Sequence, residues 1–231
     1  MKTIGLIGGM SWESTVPYYR IINETVRNRL GGLHSARIGL YSGDFAEIQR
    51  LQAAGDWARA GAVLADAAVR LETAGADLLA VCTNTMHVVA EAIEQAVDIP
   101  LLHIADATGR AIVDSGAKRV GLLGTCFTME RDFYRNRLSD RFELDVRVPE
   151  AADRREVHRV IFEELCVGNI RPPSRADYVR VIEELVDQGA EGVILGCTEI
   201  GLLVKSEDVS VPLFDTATIH ARALADAALA N

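Results

Sequence analysis

Two cysteines lie where the sequence predicts that a buried strand ends. The apolar run 78–81 leads into the segment 82–85 (Cys-Thr-Asn-Thr), and the run 193–195 leads into the segment 196–199 (Gly-Cys-Thr-Glu). Apolar runs of this length are typical of strands buried on both faces of a parallel sheet. Because open α/β sheets bind ligands just beyond such strand ends, we expect chemistry at both segments.

One such strand end on each side of a small ligand suits the removal of a proton from one face of a carbon and its return on the other. A cysteine thiol can act as the base, because its pKa near 8.5 is lowered by helix N-termini or hydrogen bonds. We interpret Cys197 as functional, because Thr198 and Glu199 follow it directly. Asn84, Thr85 and Thr198, with backbone N–H groups at two helix starts, are candidates to bind a substrate carboxylate.

The elements that must position these residues repeat along the chain. Predicted strands and helices alternate, which indicates parallel sheets with right-handed crossovers. The matched segments are 4–9 with 120–125, 76–85 with 190–199, and 99–102 with 211–214. A repeat of about a hundred residues indicates duplication. We therefore predict an α/β fold of two pseudosymmetric three-layer lobes with parallel sheets and the active site in the cleft between them.

The lobe boundaries follow from the third pair of matched segments. The strands at 101–104 and 211–215, with the helices after them, are expected to cross between the lobes. The first lobe would then comprise 1–98 plus 213–231, and the second 99–212.

Bulk composition narrows the partners. The 231 residues carry a formal net charge of −9 and no basic cluster, which argues against nucleic acid or an anionic membrane surface. No apolar stretch approaches the roughly 20 residues of a membrane span, and the N-terminus lacks a signal-peptide pattern, so we expect a cytoplasmic protein.

The motifs for nucleotides and metals are missing from the sequence. The turn at Gly8-Gly9 lacks both of the full glycine patterns that bind nucleotides, so a nucleotide is not the expected ligand. The four cysteines form no CxxC pair and, with the histidines, no metal-ligand spacing, so we expect no metal; Cys126 and Cys166 are interpreted as buried structural residues.

Three motifs resemble those of the aspartate/glutamate racemase family, in its aspartate racemase branch. They are 8–15 (Gly-Gly-Met-Ser-Trp-Glu-Ser-Thr), 82–87 (Cys-Thr-Asn-Thr-Met-His) and 196–199 (Gly-Cys-Thr-Glu). The resemblance covers essentially the whole chain. It implies a two-lobed α/β fold, commonly dimeric, and racemisation of amino acids without pyridoxal phosphate, by two bases that come one from each lobe.

The first of the two expected bases departs from the family pattern. Typical members carry Cys-Asn-Thr at this motif, whereas here Thr83 precedes Asn84, and Cys82 lies one place earlier. Neighbouring strand residues point to opposite sides, so register with the motif places Thr83 toward the substrate and Cys82 in the core. A hydroxyl is a far poorer base than a thiolate. We therefore expect Cys197 to be the competent base and Thr83 a weak partner, in a racemase similar to the L-aspartate/glutamate-specific or the broad-spectrum subgroup.

Recognition of the substrate side chain departs from the family as well. Aspartate-specific members place an Arg in a Pro-x-Arg-Thr stretch and a Lys shortly before a Gly, and neither basic anchor occurs at the matching places, 42–48 and 164–168. Arg50 is the nearby alternative, and Met10 and Gln52 are expected as neutral lining. Because a buried carboxylate without a cation is costly, this lining favours neutral or polar amino acids, in conflict with the acidic specificity of the subgroup.

Other roles remain open at the level of sequence. Glu199 is a candidate either to orient Cys197 or to bind the substrate ammonium group. Histidine side chains in general titrate near neutrality, so His87 and His103 are candidates to assist proton transfer, although a structural role is the commoner one. Two other functions fit the same motifs: a single-cysteine decarboxylase or isomerase of small diacids, and an amino-acid-binding protein without turnover.

Overall fold

A computed structural model describes residues 1–230 as alternating strands and helices. The strands are β1 (Thr3–Gly8), β2 (Arg37–Ser42), β3 (Leu78–Val81), β4 (Arg119–Gly124), β5 (Asp145–Arg147), β6 (Val193–Gly196) and β7 (Leu213–Asp215). The α-helices are α1 (Trp12–Leu30), α2 (Phe45–Ala54), α3 (Trp57–Thr73), α4 (Ala90–Glu94), α5 (Ile104–Ser115), α6 (Cys126–Glu130), α7 (Asp132–Phe142), α8 (Ala151–Glu163), α9 (Pro172–Asp187), α10 (Ile200–Leu203) and α11 (Thr216–Leu229). Short 3₁₀ helices cover Thr85–Val89, Leu165–Val167 and Ser206–Asp208.

The strands form two parallel sheets with matching order. One sheet has the order β2-β1-β3 and the other β5-β4-β6-β7, and every pairing is parallel. The central strands are almost wholly apolar and buried, as strands covered on both faces must be. This architecture confirms the predicted α/β fold with two similar groups of parallel strands.

Two compact units divide the chain at positions other than the expected lobe boundaries. The first unit comprises Met1–Ile104 and the segment that begins at His220, and the second comprises Ala105–Ile219. The expected strand at 101–104 is reduced to a single parallel bridge between Leu101 and Leu79 in the first sheet. β7 pairs with β6 in the second sheet. The bridge at Leu101 and strand β7 therefore each belong to the sheet of their own unit. The helices that follow them, nearly all of α5 and most of α11, belong to the other unit.

Helix α3 illustrates how the sequence builds the layer against the first sheet. Its apolar residues recur at helical spacing, and five of them are buried: Ala60, Leu64, Ala67, Ala68 and Leu71. The side chain of Asp56 caps the helix by accepting from the Arg59 N–H at 3.1 Å. Gly75, with φ of 90°, then reverses the chain into β3. The helix and its glycine stop therefore lead directly into β3.

Among the residues described, no helix combines the length and apolar character that a membrane crossing requires.

Candidate active-site residues at two strand ends

The glycine turn after β1 is held together by its own hydroxyl groups. Gly9 has φ of 86°, and a Cβ there would lie 2.3 Å from the Gly43 carbonyl oxygen, so only glycine allows this approach. The Gly9 N–H donates to Thr15 Oγ1 at 2.9 Å, and the Thr15 hydroxyl donates to the Ser11 carbonyl oxygen at 3.0 Å. The Gly9 amide is therefore used within the turn.

The chain beyond β3 separates the two candidate residues of the first motif. Cys82 is fully buried, and its N–H donates to the Ile7 carbonyl oxygen at 2.9 Å. Burial raises the pKa of the Cys82 thiol. Thr83 is partly exposed. Of the two, Thr83 is the residue that solvent reaches, whereas Cys82 lies in the core as an inert thiol.

Asn84 and Thr85 begin the 3₁₀ helix that follows. Both side chains are buried, with 2% and 5% exposure. The Asn84 carbonyl oxygen accepts from the His87 N–H at 3.1 Å, which closes the first turn. His87 is buried as well, and its ring contacts backbone atoms on both sides, as described below.

Met10 and Gln52, the expected neutral lining, occupy different surroundings in the first unit. Met10 lines a cavity of about 50 Å³ together with Gly8 and Gly43. The Gln52 side chain is buried, and its Nε2 lies 3.0 Å from Met86 Sδ. Arg50, the alternative basic anchor, is exposed and donates through Nε to the Ala46 carbonyl oxygen of its own helix.

The second strand end gathers several donors around one carboxylate. Cys197 directly follows β6 and is 9% exposed; its thiol donates to Glu199 Oε2 across 2.9 Å. The Thr198 hydroxyl donates to the same oxygen at 2.8 Å. Gly196, the last residue of β6, allows this strand to approach β4 closely, because a Cβ there would lie 2.7 Å from the Leu123 carbonyl oxygen of β4. Cys197 and Thr198 are therefore joined through one oxygen of the Glu199 carboxylate.

Cys166 is a candidate site residue that sequence reasoning missed. It was expected to be structural, yet its Sγ lies 3.8 Å from Glu199 Oε1, the other oxygen of the same carboxylate. The two residues are 33 positions apart, so no local spacing signals the contact. Burial raises the pKa of the Cys197 thiol well above its usual range, and the negative charge of Glu199 and the nearby Cys166 raise it further.

These contacts define what each strand end can do. The second one pairs a buried thiol with a buried carboxylate, which is an acid–base pair able to pass one proton. The first one offers a partly exposed hydroxyl beside buried amide and hydroxyl groups. Within residues 1–230, no group of three or more His, Cys, Asp or Glu side chains is arranged to hold a metal ion.

Parallel sheets with polar side chains gathered just beyond a strand end are typical of α/β enzymes. Residues 7–224 match the Asp/Glu/hydantoin racemase family. The chain therefore belongs to the Asp/Glu/hydantoin racemase family, and the prediction that it is an isomerase is confirmed.

Individual relatives agree over their full length. A candidate Asp/Glu racemase from Yersinia pestis, known from a crystal structure, is 57% identical, with 100% of both chains covered and a TM-score of 0.93. An aspartate racemase homologue from Pyrococcus horikoshii is 41% identical over 99% of both chains, with a TM-score of 0.85. The broad specificity amino-acid racemase RacX of Bacillus subtilis is 22% identical over 98% of both chains.

Proposed function

We propose that the protein is a cofactor-independent amino-acid racemase, which removes the α-proton and returns it on the opposite face of the carbon. The observation that carries the proposal is the Cys197 thiol, which donates to the buried Glu199 carboxylate directly beyond β6. A thiolate is the kind of base that such a proton transfer needs. Membership of a racemase family supports the same reaction class.

In the proposed mechanism, Glu199 takes the Cys197 proton and leaves a thiolate. The thiolate then removes the substrate α-proton, and the Thr83 hydroxyl protonates the carbanion on its other face. The Thr83 alkoxide takes a proton back from solvent and Glu199 releases its proton to solvent, which restores the site. In the reverse direction Thr83 would have to act as the base. Because a hydroxyl is a far weaker acid than a thiol and supplies almost no alkoxide at neutral pH, we expect the enantiomer that Cys197 deprotonates to exchange its α-proton with solvent much faster.

The remaining residues are proposed to bind the substrate. Asn84, Thr85 and Thr198 would hold its α-carboxylate, while Glu199 orients the thiol or binds the ammonium group. Met10 and Gln52 would line the space for the side chain without adding charge.

The proposed substrates are aspartate and glutamate, or a broader set of amino acids. Because Arg50 donates to its own helix, a fixed cation for an acidic side chain would have to come from elsewhere. The name of the Bacillus subtilis relative supports the broader set.

A screen of both enantiomers of every amino acid, with no added cofactor, tests the proposal. Chiral chromatography follows racemisation, and incorporation of deuterium from solvent follows removal of the α-proton. We expect interconversion of at least one amino acid, with deuterium entering one enantiomer faster than the other. Equal exchange rates for both enantiomers would contradict the unequal roles of Cys197 and Thr83.

Two variants connect that activity to the site. We expect Cys197→Ser to lose activity by about 10²-fold or more while it still binds the substrate. Cys126→Ser is the matched control, because its thiol lies near the Arg154 carbonyl oxygen and away from Glu199, and it should keep full activity. Consumption of a small diacid, without racemisation of any amino acid, would instead identify the protein as a decarboxylase or isomerase of such diacids. Binding that Cys197→Ser leaves unchanged, with no turnover in either protein, would identify a binding protein.

We further propose that the enzyme is a cytoplasmic homodimer. Three large apolar side chains of α1, three or four residues apart, lie exposed on one face of this helix: Trp12 at 64%, Val16 at 57% and Tyr19 at 56%. A second copy of the chain is the proposed occupant of this apolar stripe, in keeping with the dimers that the family resemblance implies. Light scattering of the wild type and of Val16→Glu measures whether this face holds a dimer.

A further inference from the structure

The His87 ring bonds to the backbone through both of its nitrogens. Nδ1 lies 2.8 Å from the Thr83 carbonyl oxygen, and because a carbonyl only accepts, Nδ1 must carry the proton. Nε2 accepts from the Ile104 N–H at 3.2 Å, so it carries none. His87 is therefore a neutral imidazole of one defined tautomer, with one bond to the candidate site and another to the first residue of α5.

Two more histidines hold this ring in place. The His103 ring centroid lies 4.4 Å from that of His87, and the His220 centroid lies 6.0 Å away. His220 is itself fixed, because its Nε2 donates to the Leu102 carbonyl oxygen and its Nδ1 accepts from the Tyr18 hydroxyl, each at 2.8 Å. All three rings are nearly or fully buried. The His87 ring therefore has little freedom to turn away from Thr83.

The bond from His87 acts where the chain leaves the sheet. One residue earlier, the Cys82 N–H still donates to Ile7 of β1, and its carbonyl oxygen accepts from the Ser14 hydroxyl at 3.3 Å. At Thr83 the strand pairing has ended, and His87 supplies the bond to the carbonyl. Because threonine is β-branched and has few side-chain rotamers, a fixed Thr83 backbone also restricts its hydroxyl.

We infer that His87 is a positioning residue for Thr83: it holds the Thr83 peptide so that the hydroxyl keeps the orientation needed for proton transfer. This inference rests on the proposed role of Thr83 in racemisation. His87 itself does not touch the substrate and carries no proton to or from it. Its loss should thus affect the half of the reaction that uses Thr83.

A set of three variants separates the two bonds of the ring. The amide of His87→Asn places an N–H near the position of Nδ1, and His87→Gln places a polar group near that of Nε2, whereas His87→Ala removes both. The readouts are kcat and KM for deuterium exchange from each enantiomer. Thr83→Val identifies the enantiomer that depends on Thr83. His158→Asn is the matched control, since His158 accepts from the Cys126 N–H in the second unit.

We expect His87→Gln and His87→Ala to lower kcat about ten- to a hundredfold for the Thr83-dependent enantiomer, with smaller effects on KM and on the other enantiomer. His87→Asn should restore most of that loss, and His158→Asn should leave the ratio between enantiomers unchanged. Should His87→Ala fail to fold, the comparison of kcat between His87→Asn and His87→Gln still tests the inference. Equal losses for both enantiomers, or no difference between Asn and Gln, would overturn the inference alone. If Thr83→Val slows neither enantiomer, the proposed role of Thr83 fails and the inference fails with it.

Discussion

The Cys197 thiol and the Glu199 carboxylate form a buried donor–acceptor pair, with 2.9 Å between Sγ and Oε2. The same carboxylate lies 2.8 Å from the Thr198 hydroxyl and 3.8 Å from the Cys166 thiol. Glu199 therefore has opposing effects on Cys197. Its negative charge raises the pKa of the thiol, which disfavours a free thiolate, but its oxygen is placed to accept the thiol proton when a substrate arrives.

Glu199→Gln separates these two effects. Removing the negative charge should lower the pKa of the Cys197 thiol, so the pH–rate profile of its alkylation by iodoacetamide should shift to lower pH. Turnover should nevertheless fall about 10²-fold or more, because the proton acceptor is gone. Peptide mapping of the alkylated protein identifies the modified cysteine.

Glu164→Gln is the matched control for that substitution. Glu164 is also a buried carboxylate of the second unit, but it pairs with Arg159 and with the Ser174 hydroxyl. We expect this variant to leave the alkylation profile of Cys197 unchanged. A profile that moves to higher pH in Glu199→Gln, or turnover that survives there, would contradict the proposed role of Glu199.

Cys82→Ala should leave the catalytic constants unchanged. The thiol is fully buried and its pKa is raised, so it supplies no thiolate. Loss of the buried sulfur should lower the free energy of unfolding by about 1 kcal/mol. Urea unfolding and the exchange assay measure the two quantities. A large fall in kcat without a matching loss of folded protein would show that Cys82, and not Thr83, serves this strand end.

Thr83→Cys should speed the slower enantiomer. A thiol is a few per cent ionised at neutral pH, whereas a hydroxyl is not measurably ionised, so we expect exchange from that enantiomer to rise at least about tenfold. Thr83→Ser, which keeps the hydroxyl, is the control. Its exchange rates for the two enantiomers should remain as unequal as those of the wild type. If both substitutions change the two enantiomers by the same factor, residue 83 does not act on one face of the α-carbon.

The repeated pattern of strands was predictable, because buried parallel strands have a distinct local composition. β1 and β4, from the matched segments 4–9 and 120–125, occupy equivalent places in their sheets. β3 and β6, from the matched segments 76–85 and 190–199, do so as well. The pairing of Leu101 and of β7 was not predictable, because a short apolar run does not identify the strand it will pair with. Only the structure therefore shows that α5 and α11, and not the strands before them, belong to the other unit.

Proline and cysteine gave weaker local signals. Proline pairs often mark a break between elements, yet Pro172 and Pro173 begin α9, where a missing N–H costs nothing and the fixed φ suits the first turn. Cys166 carries no neighbouring motif, and only the fold brings it to Glu199. By contrast, Thr198 and Glu199 adjoin Cys197 in the chain, so the sequence alone identifies them as its neighbours.

The unfolding free energy should fall as the pH drops below about 6.5, because of His220. Burial lowers the pKa of this histidine from 6.5 to about 4, and its ring faces Tyr18 and the ring of His87. Between these two values the unfolded chain binds the proton more readily than the folded protein. Stability is therefore full above about pH 6.5 and is lost toward pH 4, by at most about 3 kcal/mol.

Urea unfolding at a series of pH values measures this loss. His220→Gln should be less stable at neutral pH but should show a flatter dependence on pH over the same window. His34→Asn, at an exposed position, is the control and should keep the wild-type slope. A wild-type slope in His220→Gln would assign the pH dependence to other groups.

Gly9→Ala should destabilise the protein much more than Gly55→Ala. Both glycines have positive φ, 86° and 69°, so both substitutions cost about 1 kcal/mol or more in backbone strain. At Gly9 the new Cβ would also lie 2.3 Å from the Gly43 carbonyl oxygen, whereas at Gly55 no atom lies within 4 Å. We expect an additional loss of about 2 kcal/mol for Gly9→Ala in urea unfolding. Equal losses in the two variants would show that the contact with Gly43 does not limit residue 9.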